Sequence, residues 1–124
     1  MKNQLLILLF FISLFSCSQE KNCSDFKTGT FKYVDSNHPN WIIVRNDSIQ
    51  VEKEKKTNIE LQGRLKWKSD CEYSLTYTKI SDSSNSELIG EKINVTIINI
   101  TDDIIEYEAE MNDKVVISKM QKIK

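Results

Sequence analysis

From position 28 onward, apolar and polar residues alternate with a period of two, the pattern of strands that bury one face and wet the other. The cleanest case covers 58–68. There Ile59, Leu61, Gly63, Leu65 and Trp67 share one face, and Glu60, Gln62, Arg64, Lys66 and Lys68 share the other. In 71–80, Cys71, Tyr73, Leu75 and Tyr77 alternate with Glu72, Ser74, Thr76 and Thr78. In 103–111, Ile105, Tyr107, Ala109 and Met111 alternate with Glu106, Glu108 and Glu110. Polar pairs punctuate these runs at Asn46-Asp47, Lys56-Thr57, Ser69-Asp70, Asp102-Asp103 and Asn112-Asp113. Eight strands are predicted, at about 28–35, 41–46, 48–56, 58–68, 71–80, 91–101, 103–111 and 113–123. With only 3 Gly and 1 Pro in the chain, the turns fall to Asn and Asp.

Two places break the alternation. Trp41-Ile42-Ile43-Val44 is apolar on both faces, which predicts a cover over its outer side, and Ile97-Ile98 shifts the apolar parity as a β-bulge would. Residues 81–86 are rich in Ser, Asp and Asn and read as a long loop, followed by a helical turn at 87–89. Consecutive strands joined by short turns make an all-β, antiparallel up-and-down meander, and eight of them remove their exposed edges by closing into a small barrel. At that strand number the interior is either filled by side chains or holds one small ligand.

The N-terminus carries a different signal. Lys2 precedes residues 5–15, apolar except for Ser13, and Leu14-Phe15-Ser16-Cys17 follows. The run falls short of the roughly 20 apolar residues that span a bilayer, so it reads as the core of a secretory signal. Leu14 spoils the small-residue rule of ordinary signal cleavage but fits the lipobox of bacterial lipoproteins. The expected organisation is a signal peptide at 1–16, a tether at 17–27 that starts on a lipidated Cys17 carrying acyl chains such as palmitate, and a barrel domain at 28–124. The implied address is the cell envelope. No Asp follows Cys17, which favours the outer membrane. Lipidation also settles the cysteine count: of three cysteines it leaves Cys23 and Cys71, a pair expected to form a disulfide in an oxidising compartment.

Cleavage before Cys17 leaves 108 of 124 residues, enough for one domain with one core. Losing Lys2 leaves 16 Lys and Arg against 18 Asp and Glu, so a nucleic-acid partner is not expected. Catalytic parts are missing. His38 sits in the Ser36-Asn37-His38-Pro39-Asn40 turn, Asp47-Ser48 reads as a hairpin turn, and Glu106, Glu108 and Glu110 form an outward row instead of a cation cage. There is no phosphate loop, zinc motif or nucleophile elbow. The expectation is a non-enzyme with no metal and no cofactor.

Gly29-Thr30-Phe31 resembles an aromatic variant of the G-x-W opening of lipocalins, with Trp67 in a later strand instead. Together with NCSDFKTGTFKY at 22–33, IVRNDSI at 43–49 and WKSDCEYSL at 67–75, the chain more closely resembles a family of short envelope lipoproteins with a lipocalin-like barrel, often catalogued as "DNA topoisomerase IV". Cys23, Cys71, Gly29 and Trp67 are the more specific positions of that resemblance. The catalogue label itself implies nothing for this chain. A type II topoisomerase subunit needs a nucleotide-binding domain or a large DNA gate with a nucleophilic tyrosine, whereas Tyr33, Tyr73, Tyr77 and Tyr107 lie on apolar strand faces as packing residues.

The functional expectation is a lipid-anchored barrel that binds a small apolar ligand or a protein segment. Phe31, Tyr33, Leu65, Trp67, Tyr73, Tyr77, Tyr107 and Met111 would line its interior. The alternative is a structural or interaction lipoprotein of the outer membrane with a filled core. A pocket of roughly 300 Å³ or more separates the two. Arg64, Lys66 and Lys68, on the outward face of the fourth strand, are a candidate surface for an anionic headgroup or an acidic partner.

Overall fold

The computed structural model describes residues 21–124. The expected signal peptide at 1–16, the expected lipidation site Cys17 and the first residues of the expected tether lie outside them. The chain forms β1 (Gly29–Tyr33), β2 (Trp41–Arg45), β3 (Ile49–Glu54), β4 (Glu60–Ser69), β5 (Glu72–Ile80), β6 (Lys92–Thr101), β7 (Ile104–Met111) and β8 (Lys114–Lys122). Each strand pairs antiparallel with the next, and β8 returns to β1, so the sheet closes into the expected eight-stranded up-and-down barrel. Strand ends lie within two residues of the expected ones.

The turns are built as the composition requires. The non-glycine residues with positive φ are Asn58, Asp102, Asn112 and Asp113, residue types whose short polar side chains tolerate the left-handed region. Asn112 and Asp113 both adopt it, which is the requirement of the type I′ turn that suits strand twist. At the β2–β3 hairpin the Asn46 side chain accepts from the backbone N–H groups of Ser48 (3.0 Å) and Ile49 (2.8 Å). The Glu54 carboxylate does the same for Lys56 (3.1 Å) and Thr57 (2.8 Å) at the β3–β4 turn.

Three register shifts bend the sheet. The one between Ile97 and Asn99 is the expected bulge, with Ile98 as the extra residue. A second lies at Gln62/Gly63, where Thr78 of β5 is the extra residue and Gly63 packs so closely on Leu75 that any Cβ would overlap that side chain. The third, between Trp67 and Ser69, absorbs Lys68 and moves the β4–β5 turn to Asp70 and Cys71 from the expected Ser69-Asp70. In the long β5–β6 connection the helical turn is 3₁₀, covers Ser83–Leu88 instead of 87–89, and is capped by Asp82 accepting from the Ser84 N–H at 3.0 Å. The expected cover over Trp41-Ile42-Ile43-Val44 is absent among the described residues. Val44 is 50% exposed on the barrel wall, where a β-branched residue fits strand geometry without burial.

The two ends of the barrel differ. At one end a 3₁₀ turn, Cys23–Phe26, folds across the opening and drives Phe26 fully into the interior. Cys23 lies at disulfide distance from Cys71, with Cα atoms 5.1 Å apart, and this tie pins the plug to the β4–β5 turn. Above it Phe31, Ile43, Leu65, Leu75, Val95, Ile105 and Met120 fill the lumen. The opposite end, ringed by the loops at 34–40, 55–59 and 81–91 and by the β7–β8 turn, carries no such plug among the described residues.

Candidate functional site

The lumen is not wholly apolar. Arg45, Gln50 and Glu52 are buried inside it, and hairpin register explains why. β2 and β3 pair Ile43 with Glu52 and Arg45 with Gln50, so the choice that turns Trp41 and Ile43 inward also turns Arg45, Gln50 and Glu52 inward and sends Ile49 and Val51 toward the outside. The alternation of β3 thus runs with its polar members inside.

The buried groups are shared out between the two ends. Arg45 serves the plugged end. Its Nε donates to the Gln50 amide oxygen at 3.0 Å, one terminal nitrogen to the Phe26 carbonyl at 3.0 Å, and the other to the Tyr73 hydroxyl at 2.8 Å. Its guanidinium also lies 4.9 Å from the Phe31 ring centre and 4.8 Å from that of Tyr73. The plug is therefore held by a charge-assisted network, the stronger class of hydrogen bond. Glu52 serves the open end, where its two oxygens each accept one hydroxyl proton, from Tyr33 at 2.7 Å and from Tyr77 at 2.7 Å. No Lys, Arg or His nitrogen lies within 4.0 Å of the Glu52 carboxylate among the described residues.

Burial and the neighbouring carboxylate push the Tyr33 and Tyr77 hydroxyls far above the ordinary phenol range. Burial also raises Tyr73, offset in part by the Arg45 charge. Tyr107 is pushed up to about 12 by burial, with a Ser118 hydrogen bond working the other way. All four phenols are consequently held neutral, Tyr33 and Tyr77 donating to Glu52 and Tyr73 accepting from Arg45.

Above Glu52 the open end widens into a cup of about 340 Å³ lined by Tyr33, Trp41, Leu61, Tyr77, Tyr107 and Val116, with Asp35, His38, Ile117 and Ser118 on its rim. His38 is half exposed, stands 3.5 Å from Asp35 and tilts its ring against Tyr33 at 5.5 Å between centres. A larger hollow of about 640 Å³ lies outside the plugged end. There Lys21 pairs with Asp103, and the Lys122 ammonium donates to the Asp25 backbone carbonyl at 2.7 Å.

The expected interior residues thus divide. Tyr33, Tyr77 and Tyr107 line the cup. Phe31, Leu65 and Tyr73 belong to the packed core and are not among the residues that line the cup. Trp67 is displaced toward the plugged end, 4.6 Å from Tyr73, with the Lys27 ammonium 5.2 Å over its ring; its buried Nε1 has no hydrogen-bond partner among the described residues. Met111 shares the inward parity of β7 but sits at the strand end, outside both the packed cluster and the cup, because the β7–β8 hairpin runs past the rim. Arg64, Lys66 and Lys68 are exposed on the outer wall of β4 as expected, and Glu106 and Glu108 are partly exposed, and Glu110 exposed, on β7.

Glu52 and Arg45 were missing from the sequence-based candidates, and the one signal that could have found them is the hairpin length. Once a turn at 46–48 is fixed, partner numbers across β2 and β3 are fixed with it. Among the described residues no group of three or more His, Cys, Asp or Glu is placed to hold a metal ion. Comparison of the chain with protein-family models, with curated proteins and with solved structures returns no match.

Proposed function

We propose that the protein is a lipid-anchored, non-catalytic barrel of the bacterial envelope that holds a small ligand in the cup at its open end. The observation that carries this reading is the cup itself. At about 340 Å³ it reaches the lower range of ligand pockets, and an aromatic wall with a few convergent polar groups is the composition such sites use. Its position supports the anchor reading too. The described chain starts at the plugged end, so acyl chains on Cys17 would set that end toward the bilayer and leave the cup facing the aqueous compartment. A ligand would then arrive from solution instead of from the lipid phase.

The test uses N-phenyl-1-naphthylamine, an uncharged probe that fluoresces in apolar sites, with the purified protein. Saturable enhancement is expected, and it should be lost in Val116→Trp, which fills the mouth from a position exposed enough to tolerate the larger ring. Enhancement that survives Val116→Trp unchanged would place the probe outside the cup, and no enhancement at all would remove the cup as a site for an uncharged apolar ligand.

A second reading, an interaction lipoprotein, is favoured by one feature. β1 pairs with β8 only from Phe31 to Tyr33, and beyond the Val34 N–H to Lys119 carbonyl bond (3.1 Å) the outer edge of β8 has no backbone partner among the described residues. Val115, Val116 and Ile117 on that edge are more than half exposed, and an unpaired apolar edge is a template for another strand.

A further inference from the structure

Glu52 sets a problem that the rest of the barrel leaves open. Its side chain is 4% exposed and its carboxylate is held by two neutral phenols. Taking a carboxylate out of water is costly unless an opposite charge or a full set of donors replaces the lost hydration. Two donors satisfy about half of its lone-pair sites, since an ionised carboxylate offers about four. The nearest interior cation, Arg45, is committed to Phe26, Gln50 and Tyr73 and does not reach it. The open side of Glu52 faces the cup.

What surrounds that open side is equally directional. Tyr33, Tyr77, Tyr107 and Trp41 line the same cup, and aromatic faces attract cations. Asp35 on the rim adds a second negative charge near the mouth. His38 beside it is the one basic side chain lining the cup among the described residues, half exposed and facing Asp35. Burial holds the phenols neutral, so Tyr33 and Tyr77 present their hydroxyl protons to Glu52.

We infer that the cup selects a small organic cation: a primary or substituted ammonium group that approaches Glu52 at the floor, carried on an apolar or aromatic body that stacks among Tyr33, Trp41, Tyr77 and Tyr107. This inference rests on the reading of the cup as a ligand site and names the class of ligand. An anion of the same size would meet Glu52 and Asp35 with repulsion, and a neutral body would leave the carboxylate half-satisfied.

Three probes with one body and three charges test it: 2-phenylethylammonium, 2-phenylethanol and phenylacetate, each titrated into the purified protein with Trp41 fluorescence or calorimetry as readout. The expected order is ammonium first by about tenfold or more over the alcohol, with phenylacetate weakest, an increment in keeping with an ion pair in partly desolvated surroundings. Glu52→Gln, which keeps the shape and removes the charge, should bring the ammonium and the alcohol within about twofold of each other. If the alcohol binds as well as the ammonium to the unaltered protein, the cation assignment is wrong while the cup stands. An ammonium preference that survives Glu52→Gln overturns the role of Glu52. The ladder on unaltered protein decides the charge preference even where Glu52→Gln does not fold. If none of the three binds, and the naphthylamine probe also fails, the cup reading falls together with this one.

Discussion

Every tyrosine of the chain ends in the barrel interior, and each is pushed above its ordinary ionisation range mainly by burial. The consequence for stability has a definite sign. A phenol whose folded pKa exceeds its unfolded value of about 10 keeps its proton while the unfolded chain loses one. The stability it confers is therefore whole below about pH 10 and falls as pH climbs beyond that. A titration of the tyrosinate absorbance band should show almost no ionisation in the folded protein up to pH 11, then a steep rise that coincides with loss of the folded circular dichroism signal. Gradual ionisation near pH 10 with the fold intact would contradict the buried placement of Tyr33, Tyr73 and Tyr77. The sequence marked these tyrosines as inward by parity. It did not mark what their hydroxyls meet, because Glu52 and Arg45 look like ordinary outward residues until the β2–β3 register places them.

At the scale of elements, the strands were legible because alternation and turn chemistry agree, as in β4 and β7, where the apolar parity matches the burial. The failures have local causes. Lys68 is absorbed as an extra residue, which shifts one turn, and β3 is inverted because a strand with polar members inside carries the same period as one with polar members outside. The plug at Cys23–Phe26 is the element with the least support of its own: four residues of 3₁₀ helix held by Phe26, the Arg45 hydrogen bond and the Cys23–Cys71 tie. A cross-link spanning 48 positions restricts the unfolded chain by about 4 kcal/mol on the loop-entropy account. Replacing both cysteines by serine should lower the melting temperature by on the order of 15 °C in a domain of this size. The variant should also expose Phe26 to solvent while β3 to β7 keep their amide protection. An unchanged melting temperature would show that the plug stands without the tie.

Across the whole molecule, one axis orders the features. The chain enters at the plugged end, where Arg45 faces inward; Glu52 and the cup occupy the other end. The lumen is filled at the plugged end and opens as a cup at the other, so neither a fully packed scaffold nor a hollow carrier describes it. Phe31, Leu65 and Tyr73 face inward as expected but lie in the packed part of the lumen, since parity reports which residues face inward and cannot report how far along the axis the packing continues. A cup that works in the cell should be occupied in the cell. The decisive measurement is native mass spectrometry of the protein recovered without denaturation from the cells that make it, compared with Val116→Trp recovered in the same way. The account predicts a reproducible small-molecule adduct on the unaltered protein, of cationic character when released, and a bare mass for the variant. A bare mass for both, or the same adduct on both, would contradict a ligand site in the open end of the barrel.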